Sequence, residues 1–132
     1  MRGVLIGEAN GERVCLRRLT GNGPESWFDV EVEIHCDGWH GQIRASFMGG
    51  ELSRFANEVE ILYEQLAGEA ILDPVEDYLT LSFKGDGKGH VEIQGMAQNH
   101  LGSGTQLSFR LEIDQTFLPA IARSLRDLDS LP

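Results

Sequence analysis

The chain is poor in the residues that characterise disulfide-stapled and membrane-spanning proteins. It has two cysteines and four prolines among 132 residues. A disulfide between them would require Cys15 and Cys36 to lie on adjacent strands, which the sequence does not show. In a reducing compartment we expect Cys15 and Cys36, each within an apolar strand pattern, to be buried free thiols. No stretch approaches the roughly 18 apolar residues that a membrane helix requires.

Basic residues are also scarce. There are 11 lysines and arginines against 21 aspartates and glutamates, so the net charge is -10. Nucleic-acid-binding proteins carry a basic surface, and adsorption to anionic lipid also requires basic residues, so neither is an expected partner. The acidic balance is compatible with a basic protein partner, although solubility alone would also favour it. Residues 1–14 turn polar too early for a signal peptide, and we expect a cytoplasmic protein.

The most informative segment is the run from residue 26 to residue 36, SWFDVEVEIHC. Apolar side chains occupy every second position, which predicts a strand with one face in the core. The apolar face consists of Phe28, Val30, Val32, Ile34 and Cys36, and the outer face of Trp27, Asp29, Glu31, Glu33 and His35. The Asp37-Gly38 pair that follows predicts a tight hairpin turn into a partner strand over residues 39–47.

The remaining pattern predicts one α+β domain over residues 1–132. Further strands are expected at 4–6, 13–19, 69–72, 78–84, 90–98 and 106–113, with a loop at 20–24. Which face of the 13–19 strand enters the core is left open. Apolar residues recur at helical spacing over about 50–67 and 115–128. The expected architecture is a single twisted, mainly antiparallel sheet of about six to eight strands, with both helices packed on one face.

Possible metal and catalytic motifs are weak. His35 and Cys36 are adjacent in a strand and therefore point to opposite sides of the sheet. His35 and His40 could meet across the hairpin turn, but we expect any third ligand to come from a distant segment, so no metal site is predicted. The glycine-rich segment 85–89 leads into a strand rather than a helix, which favours a turn over a phosphate loop. Neither catalytic residues nor a cofactor are predicted.

The outward-facing residues of the sheet are the predicted protein-binding surface. Aromatic side chains among charged groups are typical of such patches. The candidate residues are Trp27, Asp29, Glu31, Glu33, Glu92 and Glu112. A solvated sheet face shows the same mixture, so this interpretation competes with that of an ordinary exposed surface.

Several short motifs resemble those of the WapI-type bacterial immunity proteins and of related uncharacterised small bacterial domains. They are WFDVEV at 27–32, ELxxF at 51–55, YLTL at 78–81, GHV at 89–91 and FRLEIDQTFL at 109–118. The resemblance covers roughly residues 5–128. It implies a non-catalytic cytoplasmic antidote that binds a polymorphic toxin, often a nuclease, delivered by contact between bacteria. It carries over no individual binding residue.

Two alternative functions remain open. The protein could bind a small ligand, or act as an enzyme, in a cleft between sheet and helices. That hypothesis requires a concave pocket with converging polar groups. The protein could instead be an oligomerising domain, with Trp27 and Trp39 at the contact between copies.

Overall fold

The computed structural model describes residues 3–19 and 26–130. The predicted loop at 20–24 lies outside the described residues. Eight strands and two helices follow in chain order, with a short 3₁₀ turn at Gln115–Phe117 before the second helix. They are β1 (Gly3–Gly7), β2 (Arg13–Arg18), β3 (Trp27–Cys36), β4 (Trp39–Met48), α1 (Glu51–Gln65), β5 (Ala67–Leu72), β6 (Leu79–Asp86), β7 (His90–Gln98), β8 (Gln106–Asp114) and α2 (Leu118–Asp129). These bounds confirm the predicted strands and helices to within a few residues.

The strands form two antiparallel four-stranded sheets, β1-β2-β3-β4 and β5-β6-β7-β8. The α+β class is therefore confirmed, but the single sheet of six to eight strands is wrong. Within each sheet every strand pairs with its neighbour in sequence. Helix α1 separates β4 from β5, and these two strands do not pair. Period-two alternation reports which side chains share a face, but it does not report where one sheet ends.

The element order repeats, since each sheet of four strands is followed by one helix. Each helix packs against the edge strand of the other half, α1 against β5 and α2 against β1. The helices also run antiparallel to each other, because Arg126 near the end of α2 contacts Asn57 in the middle of α1 and Asp129 lies at the start of α1. The expected placement of both helices on one face of one sheet is therefore replaced by a helix pair bridging two sheets.

A single hydrophobic cluster joins both sheets and both helices. Phe55 of α1 meets Phe83 of β6 edge to face, with ring centroids 5.2 Å apart. The face of β2 that sequence analysis left open is resolved: Val14 and Leu16 are buried. Arg18 lies on that same side with its guanidinium 4.1 Å above the ring centre of Phe28.

The two cysteines are both free thiols, but they occupy different environments. Cys36 is buried on the core side of β3, as predicted. Cys15 is only partly buried, on the outer face of β2, so its predicted burial is wrong. Neither helix in the described part of the chain is long and apolar enough to cross a membrane.

Candidate functional site

The outer face of the first sheet carries three of the predicted binding carboxylates on β3. The register places Arg17 and Arg44 on either side of Glu31. Arg17 donates to Glu31 at 2.7 Å, and Arg44 lies 3.1 Å from Asp29. The described outer faces of β2, β3 and β4 carry three arginines against three carboxylates. This acidic strand therefore belongs to a charge-balanced face, which the sequence of β3 alone could not show.

The other predicted binding residues are separated from that face. Glu92 and Glu112 lie opposite each other on β7 and β8, in the second sheet. Arg110 donates to Glu92 at 2.6 Å. Trp27 stands at the first position of β3, half-buried and opposite Met48. Two separate sheet faces, rather than one shared platform, hold the six predicted residues.

Most of the negative charge lies elsewhere, on α1, β5 and the loop after β5. Residues 51–77 contain eight aspartates and glutamates and one arginine, a net -7 out of the -10 of the whole chain. We call the solvent-accessible part of this region the α1–β5 surface. It comprises the half-buried Glu51 and Glu58 and the exposed Ile61, Glu69, Ile71, Asp73 and Val75. A count of charge along the sequence could have found it, because Arg54 is the only basic residue between positions 45 and 83.

Two hydrogen bonds tie the α1–β5 surface together. The Glu58 carboxylate accepts the backbone N–H of Ile71 at 2.9 Å, which joins α1 to β5. The Glu51 carboxylate accepts the backbone N–H of Val75 at 2.8 Å and that of Met48 at 2.6 Å. A neutral amide donates each bond, so these bonds add no positive charge beside the carboxylates, whereas Glu31 is ion-paired with Arg17.

Apolar side chains are exposed on the same surface. Val75 is 70% exposed, Ile61 is 53% exposed and Ile71 is 48% exposed. Ile61 follows Glu58 by three positions on α1 and therefore lies on the same side of the helix. A groove of about 320 Å³ runs between α1 and the end of β5, lined in part by Glu51, Glu58 and Asp73. Exposed apolar groups among charges are the composition of a protein-binding surface.

A second concavity lies where the tip of the β3–β4 hairpin approaches the second sheet. This cleft of about 650 Å³ is lined by Trp39, Phe109, Arg110, Cys36 and several polar groups. Trp39 is 68% exposed at its rim. Burial raises the pKa of the Cys36 thiol above its ordinary value of 9.0, and the carboxylates of Glu12 and Asp37 raise it further. A raised pKa disfavours the nucleophilic thiolate, so Cys36 is poorly suited to covalent catalysis.

The carboxylates with altered acidity lie at turns, outside this cleft. Backbone N–H groups of Lys88 and His90 hold the pKa of Asp86 below its ordinary value of 3.8. The backbone N–H and the hydroxyl of Thr116 do the same for Asp114. Both arrangements stabilise a turn or helix start, as side-chain caps generally do. They add no catalytic acid or base to the cleft.

The hairpin tip also brings together His35 and His40, which the sequence indicated could meet across the turn. The rings of His35 and His40 stack with centroids 4.1 Å apart. The carboxylate of Glu33 reaches both imidazoles. The expectation that a third ligand must come from a distant segment is therefore wrong, because Glu33 is two residues from His35 and shares its face of β3.

These features describe an α+β protein whose exposed charged and apolar surfaces resemble those by which proteins bind one another. The chain belongs to the immunity protein WapI-like family, whose model matches residues 6–129. The predicted resemblance is thereby confirmed over nearly the whole chain. No curated protein matches the chain significantly.

Proposed function

We propose that this protein is a cytoplasmic immunity protein that binds a bacterial toxin and blocks it without chemistry of its own. Family membership supports the general role. The observation that supports the binding mode is the concentration of a net -7 within residues 51–77. Four of these carboxylates lie on the α1–β5 surface, and Arg54 lines the groove beside them. A predominantly acidic surface is complementary to a basic partner, such as the surface with which a nuclease toxin holds its nucleic acid.

The charge of the α1–β5 surface is available to a partner. Glu58 and Glu51 are held in place by backbone amides, so their orientation is fixed without neutralisation. Glu69 is exposed on the edge strand β5, and Asp73 is exposed immediately after the strand ends. Fixed carboxylates lose little conformational entropy on binding, and they increase the association rate with a positively charged toxin.

Apolar contacts supply the second requirement for a stable complex. Ile61, Ile71 and Val75 are exposed beside these carboxylates. Charge alone gives fast but weak association, whereas desolvated apolar groups at the centre of an interface contribute most of its affinity. The α1–β5 surface therefore combines steering charge with apolar anchors.

The outer sheet faces are the rival surface. Trp27, Asp29, Glu31 and Glu33 lie on the outer face of the first sheet. Glu92 and Glu112 lie on the outer face of the second sheet, where Lys84 stands between Glu92 and Glu69 of the α1–β5 surface. Arginines accompany Asp29, Glu31 and Glu92 at salt-bridge distance. A partner that used these carboxylates would have to displace those arginines, or bind them as well, which favours the α1–β5 surface.

The proposal is tested by growth rescue. A toxin domain encoded by an adjacent gene, which the proposal requires, is expressed in a host with and without the protein, and colony survival is counted. We expect full rescue by the wild-type protein. A catalytically inactive toxin does not kill the host and therefore cannot report rescue. It is used in vitro to test whether the two proteins form a complex. Failure to rescue, together with failure to form a complex with the inactive toxin, would overturn the proposal.

Self-association is a second candidate function, favoured by the exposure of Trp39 beside the 650 Å³ cleft. It predicts a dimer whose mass by light scattering falls to that of a monomer on dilution, and a Trp39→Ala variant that is monomeric throughout. Trp27 is half-buried in β3, so its replacement is a poorer test.

A further inference from the structure

The tip of the β3–β4 hairpin has the geometry of a small metal-binding site. Asp37 and Gly38 both have positive φ, at 49° and 85°, as a two-residue hairpin turn requires. Cys36 and Trp39 flank this turn, and His35 and His40 form the next pair. Because hydrogen-bonded and non-bonded pairs alternate along an antiparallel ladder, His35 and His40 occupy a close, non-bonded pair. Their side chains lie together on the outer face.

A carboxylate completes the group. The Glu33 Oε1 atom lies 3.4 Å from His35 Nε2, and the Glu33 Oε2 atom lies 3.9 Å from His40 Nε2. One ligand atom from each of the three residues falls within 4.8 Å of the others. We propose that Glu33, His35 and His40 form a site for a divalent transition-metal ion of the zinc type. Two imidazoles with one carboxylate are a ligand set that zinc uses when a further position stays open.

Side-chain rotations would bring the three ligand atoms to metal-binding distance, and the two stacked imidazoles, inclined by only 18°, must tilt so that both Nε2 atoms point at one ion. Zinc binds imidazole nitrogen and carboxylate oxygen at about 2.0–2.2 Å, so the ligand atoms must approach one another slightly. The side chains of His35, Glu33 and His40 are 32%, 36% and 55% exposed, which leaves room for that movement. The backbone of the hairpin already holds the Cβ atoms on one face.

Arg13 is the principal opposing charge. Its Nη2 atom lies 3.9 Å from Glu33 Oε1, beyond hydrogen-bond distance. Its Nη1 atom donates to the carbonyl of Gly11 at 2.8 Å, which gives the guanidinium a partner of its own. Cys15 stands opposite Glu33 on β2, but its thiol does not belong to the group of ligand atoms that lie within 4.8 Å of one another.

Bound metal would cross-link β3 to β4 beside Trp39. With three protein ligands, a coordination position remains for water or for a donor atom of a bound molecule. Metal that binds only the folded state raises the melting temperature as its concentration exceeds Kd. Imidazole nitrogen binds metal only when deprotonated, so affinity falls on acidification. The site does not depend on the proposed toxin-binding function.

Zinc titration of the full-length protein, freed of any affinity tag and of metal, tests the proposal. We expect one equivalent of zinc to bind by calorimetry. We also expect Glu33→Gln, His35→Gln and His40→Gln each to weaken binding by roughly tenfold or more. The matched controls are Glu31→Gln on the same strand and face, and His90→Gln and His100→Gln, which replace the two other histidines. These controls should bind as the wild type does.

Nuclear magnetic resonance of the wild-type protein avoids any loss of folding in the variants. Zinc should shift the imidazole resonances of His35 and His40 and leave those of His90 and His100 in place. Absence of zinc binding by the wild type, equal shifts at all four histidines, or loss of binding on Cys15→Ser would each overturn the assigned site.

Discussion

The carboxylate of Asp129, the last residue of α2, accepts the backbone N–H of Ser53 in the first turn of α1 at 2.8 Å. Its other oxygen accepts the N–H of Gly50 at 2.9 Å. The first N–H groups of a helix have no partner within the helix, and a nearby negative charge also favours the helix dipole. Gly50, at the N-cap position of α1, has no side chain that could accept a hydrogen bond from these N–H groups. One helix therefore caps the other, and the two halves of the fold depend on each other.

Replacement of Asp129 by alanine should destabilise the protein. We expect a loss of about 1–2 kcal/mol in the free energy of unfolding, the range measured for helix caps. Chemical denaturation followed by circular dichroism measures it. Asp127→Ala, an exposed substitution two residues earlier in α2, is the control and should change stability by less than about 0.5 kcal/mol. Equal effects of the two substitutions would show that Asp129 does not act as a cap.

The ring of Phe109 lies across Gly95 on the neighbouring strand β7. A Cβ atom added at Gly95 would fall 2.2 Å from Phe109 Cζ, so the ring would have to move. Gly95→Ala should therefore cost about 1–3 kcal/mol, as overpacking generally does, because the ring must leave its present contacts and shift towards the cleft that it lines. Gly41→Ala is the matched control, because its added Cβ would meet Leu107 at an ordinary 3.7 Å. A Gly95→Ala variant as stable as Gly41→Ala would contradict this packing.

Stability should fall in acid partly through two turns. The pKa values of Asp86 and Asp114 are lowered in the folded state by hydrogen bonds from backbone N–H groups. A lowered pKa stabilises the fold above the ordinary value of 3.8, and that stabilisation is lost as the pH falls through the lowered pKa. The Asp86→Asn/Asp114→Asn variant should lose less stability than the wild type between pH 5 and pH 2, measured by thermal unfolding. Glu112→Gln, which removes a neighbouring negative charge, is the control. If the double variant loses stability with falling pH as steeply as the wild type does, Asp86 and Asp114 do not have the assigned role.

The two thiols should differ in reactivity. Cys15 is partly exposed on the outer face, whereas Cys36 is buried against the core. Burial raises the pKa of both thiols, so both should react more slowly than free cysteine with a thiol reagent near pH 7. We expect Cys15 to react first, and Cys15→Ser to leave only the slow phase. A fast phase that disappears with Cys36→Ser instead would contradict the described burial.

The sequence predicted the elements well because alternation and helical spacing are local. The β3–β4 hairpin could be predicted in register, since its two-residue turn at Asp37-Gly38 fixes which residues face each other. The division into two sheets could not be predicted, because it depends on whether β4 and β5 pair across α1. Whether these two strands pair depends on tertiary contacts, and it does not change the alternation of apolar and polar residues in either strand.

The candidate site shows the same limit. The sequence placed Glu31 on an exposed face, and it does lie there, but its neutralisation by Arg17 depends on the β2–β3 register. Alternation places Glu33 and His35 on one face of β3, but the approach of the Glu33 carboxylate to both imidazoles depends on side-chain conformations that the sequence does not specify. The α1–β5 surface depends on where the acidic residues lie along the chain, which the net charge of the whole chain does not reveal.

The affinity of the protein for an inactive form of the toxin that the proposal requires tests the central claim most directly. We compare the wild type with Glu58→Gln/Glu69→Gln/Asp73→Asn, and with the matched Asp29→Asn/Glu31→Gln/Glu92→Gln variant of the sheet faces. Each substitution removes one negative charge and keeps an acceptor oxygen, so Glu58→Gln still receives the N–H of Ile71. We predict that the α1–β5 triple weakens binding by about tenfold or more and reduces its salt dependence, while the sheet variant binds as the wild type does. Loss of binding in the sheet variant alone would contradict the account.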